Sequence, residues 1–316
     1  MGSDPIALPL LEHLHSEGAD HYQLEAVVTQ PDRPRGRGKR LQPNAIAAFA
    51  ESNKLLTQKP EKPGSELRQW LAENSIDMAI VMAYGHLIGR SLLETPRLGF
   101  INLHTSILPK YRGASPIETA IANGETETGV SLMRMELAMD AGPVLDVERV
   151  PIGPQSTSET MRRLLAEATV PLVRRNMEAL LSGTARFVEQ PNAGITYCRK
   201  LDKADGLIDF NASAQTLAQR VNGLFPWPGC YCYYGDTRLK LQGAIAISNT
   251  PSNQPGAVIR ADATGVLIGT GNGELQIAQL QRPGGKLLPA REFIQGFPLP
   301  PGTQLTGGPL RPLLIE

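Results

Sequence analysis

Cysteine is scarce, with three residues (Cys198, Cys230 and Cys232) in a chain of 316. Three cannot build a disulfide framework, and the Cys-Tyr-Cys spacing of the last two is not that of a zinc knuckle. A reducing compartment is expected. Net charge is absent too, since 31 Lys and Arg balance 31 Asp and Glu. That excludes a surface that is basic throughout, as in a general nucleic-acid binder, but leaves room for a local basic patch. The longest apolar run, Met78 to Tyr84, falls far short of the ~20 residues that cross a bilayer. Asp4 and Glu12 stand where a secretory signal would be basic, and Ile6 takes the place where N-myristoylation needs Ser or Thr. A soluble cytoplasmic protein is expected, without a membrane partner. Phosphate-binding loops are lacking as well. Gly36-Arg37-Gly38 has no third Gly at the dinucleotide spacing, and Gly285-Lys286 is followed by Leu287 rather than Ser or Thr.

What is present is enough for a core: 41% of residues are apolar and only 20% charged, which is not a disordered composition. At roughly 150 residues per domain the length predicts two domains. Residues 5–17 repeat apolar positions at helical spacing, with Pro5 in the first turn and Gly18 as a stop. Short apolar runs follow at Leu24–Thr29, Met78–Ala83, Phe100–Leu103, Gly129–Met135 and Val144–Val150. Helical patterns lie at 43–53, 65–74 and 115–122. Alternating strands and helices predict an α/β fold with a mostly parallel sheet covered on both faces. Such a sheet should open with a strand of ~5 residues, for which residues 1–4 are too few, so a first strand is expected to be lacking. Ser156 and Glu159 have the spacing of a capping box, opening a helix that ends near Gly183. Residues 190–204 read as a polar linker. Beyond it strands are short, and Asn272-Gly273 predicts a hairpin in a small β-barrel or sandwich.

The densest polar cluster runs from Asn102 to Pro116. Asn102 and His104 are two apart at a strand end, so they share a face, and ligands of α/β sheets bind beyond the C-terminal strand ends. Asp140-Ala141-Gly142 follows the next strand. An amide donor, an imidazole and a carboxylate at one mouth suit acyl transfer, where donors steady an oxyanion and an acid orients the histidine. Taken singly, each has a structural explanation; a strand-end His often serves only to satisfy local hydrogen bonds, and Asp before Gly is a common turn. A third feature is the stretch from Gln30 to Leu41, with five cations against one acid. Its two Pro and two Gly predict a loop without regular structure, and a net +4 in an otherwise neutral chain suits phosphates.

Together these residues resemble the methionyl-tRNA formyltransferase family along nearly the whole chain. The resemblance is carried by Val28-Thr-Gln-Pro-Asp-Arg-Pro with Gly-Arg-Gly-Lys after it, and by Asn102-Leu-His104 with Ser-Ile-Leu-Pro-Lys-Tyr-Arg-Gly-Ala-Ser-Pro. Asp140-Ala-Gly and Phe225-Pro-Trp-Pro-Gly add to it. It implies a Rossmann-like formyltransferase domain over 1–189, a linker over 190–204 and an OB-like β-barrel domain that binds tRNA over 205–316. The implied donor is 10-formyltetrahydrofolate, without a metal, and the implied acceptor is the α-amino group of initiator methionyl-tRNA. Asn102, His104 and Asp140 match catalytic positions. Ser106, Ile107, Leu108 and Pro109 match a folate-binding segment, and Tyr84-Gly85 matches a stretch lining the same pocket. Arg33, Arg35, Arg37, Lys39 and Arg40 match a tRNA-contacting loop, which Lys200 and Lys203 would extend. A monomer is expected.

Two rivals stand beside this reading. Formyltransferases acting on amino-sugar nucleotides resemble both domains and the trio, but lack the basic loop. A non-catalytic RNA-binding protein would use the barrel and the basic loop alone, and would have no need of the trio.

Overall fold

The computed structural model describes residues 1–16, 22–35, 38–248 and 254–315, without the side chains of Arg35 and Ser248. The chain forms two compact units. The first comprises residues 1–112, 128–150 and 162–195; the second comprises 113–127, 151–161 and 196–316.

In the first unit the chain enters through a 3-10 turn, Pro5–Ala7, which Asp4 caps by accepting from the Ile6 N–H at 3.0 Å. Helix α1 (Leu8–Ser16) follows and buries Leu10, Leu11 and Leu14. The predicted stop, Gly18, lies outside the described residues. Strand β1 (Val27–Val28) leads by way of α2 (Ala45–Ser52) to β2 (Thr57–Gln58), and the two strands pair in parallel. Asn44 caps α2 through the Ala47 N–H. Helix α3 (Ser65–Glu73) precedes β3 (Ala79–Val81), which pairs in parallel with β4 (Phe100–His104). Past helix α4 (Pro116–Ala122), which belongs to the second unit, the chain returns as β5 (Glu127–Arg134), antiparallel to β4, and β6 (Val144–Pro151) lies beside β5. The sheet is thus parallel through β4 and antiparallel at β5. Its central strands are buried on both faces, as the unbroken apolar runs predict. β1 and β3 are not paired to each other. Between them lie Met1–Ser3, with Gly2 N donating to Val28 O, Met1 N to Ile80 O and Met82 N to Met1 O.

Helix α5 (Ser158–Ser182) ends before Gly183, which has φ 72°. The predicted capping box does not form. Ser156 Oγ accepts instead from the Gly153 N–H, and Thr157 Oγ1 takes over the cap through the Thr160 N–H.

The stretch read as a linker carries structure of its own. Tyr197–Cys198 pairs antiparallel with Leu314–Ile315, and a 3-10 turn at Lys203–Gly206 closes a capping box between Asp202 and Asp205. Asp205 is fully buried and takes two bonds from the Arg199 guanidinium, at 2.8 and 2.5 Å.

In the second unit helix α6 (Ala214–Gly223) packs on an antiparallel sheet. Its strands are β7 (Cys230–Tyr234), β8 (Thr237–Ser248), β9 (Val258–Asp262), β10 (Gly265–Gly269), β11 (Glu274–Gln281) and β12 (Leu288–Pro289). The order is β7-β8-β11-β10-β9, with β12 on β11. Asn272-Gly273 turns β10 into β11 as expected, Gly273 at φ 87°. The expected OB-like barrel is met only in part: the sheet is antiparallel and made of short strands, but no closed barrel is found among the described residues. Leu217, Leu239, Val266, Ile268, Leu275 and Ile277 fill the core. Cys230 and Cys232 point into it, and burial pushes both thiols up to about 12. Among the described residues, no helix is long and apolar enough to cross a membrane.

Candidate active site

The site begins where β4 ends. Asn102 and His104 face the same side of the strand, opposite Met133 and Ser131 of β5. His104 is buried at 7% exposure. Its Nε2 lies 2.9 Å from the Tyr111 carbonyl oxygen. A carbonyl only accepts, so Nε2 carries a proton and donates it there. Nδ1 faces Asp140, 3.6 Å from Oδ2, which is too long for a full hydrogen bond. Asn102 is half-buried, and none of the hydrogen bonds formed among the described residues uses its side-chain amide.

Residues 105–111 fold over this strand end on two serines. Ser106 Oγ donates to Lys110 O at 2.7 Å, and Ser131 Oγ to Ser106 O at 2.7 Å. Ser131 Oγ also accepts from the Leu108 N–H at 3.1 Å. Ser106 is thereby fully buried and spent on the turn, as is most of Leu108, while Ile107 and Pro109 keep some exposure. Tyr111 sits at φ 59° and turns its carbonyl onto His104.

Asp140 also has positive φ, 50°. Its loop passes so close to β5 that a Cβ at Gly142 would stand 2.0 Å from Arg134 O, a spacing only glycine permits. The loop is fastened by Gln190, whose Nε2 donates to both Asp140 O and Gly142 O at 2.8 Å. Gln190 Oε1 in turn accepts from Arg112 Nε and Nη2, at 3.1 and 2.7 Å. The sequence offered no signal for Gln190. It stands alone in the polar stretch read as linker, some fifty residues from the loop it holds.

The Tyr84-Gly85 stretch follows β3, whose Val81 is paired with Asn102. The Tyr84 ring does not line an opening. It packs among Leu67, Leu71, Ile88 and Leu92, and burial pushes its hydroxyl up to about 12. Its carbonyl takes bonds from Gln30 Nε2 and Ser3 Oγ. Gly85, at φ 80°, is exposed, and the Gln30 amide lies where its Cβ would be. His86 Nε2 is buried with no hydrogen-bond partner among the described residues.

The basic stretch is not the irregular loop expected. Arg33–Arg35 pairs antiparallel with Arg40–Gln42, Pro34 opposite Leu41. Pro is tolerated because the ribbon has no further neighbour needing its N–H, and Gly38 (φ 100°) and Lys39 (φ 48°) turn the chain. Arg33, Lys39 and Arg40 are exposed, and Arg33 bonds Glu61 at 2.9 Å. Arg37 and the Arg35 side chain lie outside the described residues. At the foot of the ribbon Lys59 bonds both Asp32 and Glu51.

Among the described residues no group of three or more His, Cys, Asp or Glu stands close enough to hold a metal ion. The arrangement offers an unengaged amide donor, an imidazole aligned by a carbonyl and a carboxylate, and exposed cations on a ribbon.

Comparison with known proteins gives this geometry a lineage. Residues 2–175 match the formyl transferase family model and residues 200–298 the formyl transferase C-terminal domain. A methionyl-tRNA formyltransferase of Parvibaculum lavamentivorans is 38% identical over 307 residues, covering 96% of this chain and 97% of that protein. One from Geobacter sulfurreducens is 36% identical over 306 residues, covering 96% and 95%. An N-formyltransferase from Helicobacter canadensis, solved with folinic acid and dTDP-3-aminofucose, superposes with a TM-score of 0.65 at 18% identity, over 89% of this chain and 97% of that one. At that identity the likeness speaks for the fold. The chain is a formyl transferase enzyme and belongs to the methionyl-tRNA formyltransferase family.

Proposed function

We propose that this enzyme transfers the formyl group of 10-formyltetrahydrofolate to the α-amino group of methionyl initiator tRNA, acting as a cytoplasmic monomer. The observation that carries the reading is the His104–Asp140 pair beside the unengaged Asn102 amide, in a chain collinear with relatives of that name. Asn102, His104 and Asp140 are the catalytic residues of this reading. A free α-amino group has a pKa of roughly 8 and is partly nucleophilic near neutral pH. Its nitrogen attacks the formyl carbon, and the formyl oxygen gathers negative charge. Asn102 donates to that oxygen. The Nε2 proton of His104 is committed to Tyr111, so Nδ1 of the neutral ring is an acceptor, 3.6 Å from Asp140, and His104 contributes there by passing a proton rather than by donating to the formyl oxygen. Asp140 takes the proton lost by the attacking amine and returns it to the folate nitrogen as the carbon–nitrogen bond breaks.

The residues present fit a folate. Among the described residues buried His86 Nε2 has no hydrogen-bond partner, which a polar ring system would supply, and Ile107, Pro109 and Gly85 keep exposed surface. Ser106 and Leu108 hold the backbone turn of that segment through Lys110 O and Ser131 Oγ. Incubation with 10-formyltetrahydrofolate and methionine-charged initiator tRNA, read by mass spectrometry for formyl-methionine, tests the reading. No product from cooperatively folded protein would discard it.

Gln190 gives a finer test. Gln190→Met removes both amide bonds to the 140–142 loop while keeping the volume. A misplacement of about 1 Å at a reacting group costs up to ~10²-fold, so kcat should fall about tenfold or more with KM for the donor near its original value. An equal rise in KM with kcat intact would assign Gln190 to binding instead.

The basic ribbon contacts tRNA through Arg33, Arg35, Arg37, Lys39 and Arg40, where phosphate contacts dominate. Replacing Lys39 and Arg40 by Gln should weaken tRNA binding and reduce its logarithmic salt slope by about 1 to 2, with folate binding unchanged. A salt slope identical to that of the parent would remove the ribbon from the interface.

A further inference from the structure

Within the first unit, one side chain joins the basic ribbon to the Tyr84-Gly85 stretch. The root of the ribbon is tied together by Asn44, whose Nδ2 donates to Gln30 O at 3.0 Å. Asn44 is buried, and its Oδ1 is fixed by the Ala47 N–H at 3.0 Å, so its amide group has one orientation. The Gln30 N–H is anchored too, donating to Ser3 Oγ at 3.1 Å. Lys59 adds a tie to Asp32 at 2.8 Å, just before the first arm of the ribbon. From this anchored backbone the Gln30 side chain reaches Tyr84 O, to which its Nε2 donates at 2.9 Å. What it meets there is strained. Ala83 has φ 47° and Gly85 φ 80°, so two residues of three stand in the left-handed region and one of them is not glycine. Such a residue persists only where its surroundings over-determine it, and such places cluster at ligand clamps. The restraint falls on two carbonyls: Ser3 N–H donates to Ala83 O at 3.2 Å, while Ser3 Oγ and Gln30 Nε2 both donate to Tyr84 O. Gln30 also occupies the space over Gly85, where a Cβ would stand 2.7 Å from Nε2. Its amide therefore sets both the peptide that follows Tyr84 and the room beside exposed Gly85.

We propose that Gln30 is a positioning residue that links the two substrates: it holds the backbone at Gly85 from the root of the ribbon, so that tRNA seated on the ribbon tightens the enzyme for the folate. The inference rests on the proposed reading of the ribbon and of the Tyr84-Gly85 stretch. Its physical basis is ordering. A ligand that stiffens the ribbon stiffens its root, and with it the Gln30 amide. A second ligand that needs Gly85 fixed then has less freedom left to remove, which is positive coupling without a change of shape. Linkage makes the effect reciprocal, so the folate tightens tRNA by the same factor.

Titration calorimetry with tetrahydrofolate and uncharged initiator tRNA tests this, since neither carries a reacting group and no formyl transfer can intervene. Saturating tRNA should lower the dissociation constant of tetrahydrofolate on the parent at least ~5-fold. Saturating tetrahydrofolate should lower that of tRNA equally. Gln30→Met keeps the length of the side chain but has no donor, and Gln30→Glu keeps its shape but presents an acceptor to the Tyr84 carbonyl. Each variant should still bind both ligands, with the coupling factor reduced to about 1. In turnover at saturating charged tRNA, each should raise KM for the formyl donor by the factor lost, with kcat near that of the parent. A merely local support would instead weaken tetrahydrofolate equally with and without tRNA, leaving the factor as it was. Independent binding of the two ligands to the parent, or a factor that survives in Gln30→Met, overturns the proposal. A folded parent that fails to bind one of the ligands at all overturns the proposed function and this inference with it; binding of both without coupling overturns this inference alone.

Discussion

Asn102→Ala should lower kcat for formyl transfer by ~10²–10³-fold with little change in the melting temperature. That is the usual loss when one preorganised oxyanion donor is removed, and His104 does not stand in for it, because its Nε2 proton is committed to Tyr111. The fold should be indifferent. Asn102 is half-buried and its amide takes no part in the hydrogen bonds among the described residues, so its removal strands no partner. Asn102→Asp sharpens the test, since a carboxylate of nearly the same shape repels the developing charge and should be at least as damaging as alanine. Single-turnover rates at saturating donor separate this from a binding defect. Turnover within a few-fold of the parent in either variant would remove Asn102 from the chemistry.

Arg199→Met should destabilise the second unit by about 3–5 kcal/mol, the range for breaking a buried ion pair by deleting one partner. Asp205 is fully buried and depends on the Arg199 guanidinium and the Asp202 N–H, with Arg311 at 3.5 Å as a further cation and Arg220 bonded to its backbone carbonyl. Burial pushes the Asp205 carboxyl up, but the bonds from Arg199 and Asp202 outweigh it, and its pKa ends below the ordinary carboxylate value. A depressed folded pKa contributes stability that is complete above the unfolded value and is lost as pH falls through the folded one. In the parent this contribution is whole at neutral pH and fades below about pH 4; in Arg199→Met that acid limb should flatten. Urea melts at pH 7 and pH 3.5 measure both effects. A loss under ~1 kcal/mol at pH 7 would show that Arg199 is not the mainstay of this carboxylate.

The parts legible in sequence share a property: their physics is local or periodic. The strand at Phe100–His104 was readable from the apolar run Phe100–Leu103, which buries on both faces, and Asn102 and His104 because a spacing of two fixes a shared face. Asn272-Gly273 was readable because the turn chemistry resides in the dipeptide itself. What failed depended on distant partners. Ser156 was available as a cap, yet it closed a tighter turn on Gly153 and left the helix to Thr157. Pro34 argued against pairing, and the ribbon formed because no third strand needs its missing N–H. Tyr84 belongs to the core by its ring, although its neighbours in sequence lead to the site. Gln190 had no local signature at all, because its role exists only once the 140–142 loop is folded against it.

The core of the second unit makes the protein its own unfolding clock. Cys230 and Cys232 have no exposed surface, and burial pushes their thiols up to about 12, so at neutral pH almost no thiolate is there to attack a maleimide. Each opening of the sheet around β7 returns them to the ordinary reactivity of a solvated cysteine. The rate at which dye is incorporated therefore counts excursions of that unit, without a mutation or an added probe site. A cysteine engineered onto the exposed ribbon, at Arg40 for example, would label at once and leave the buried cysteines, Cys198 with the other two, as the internal record of how often the domain lets water in.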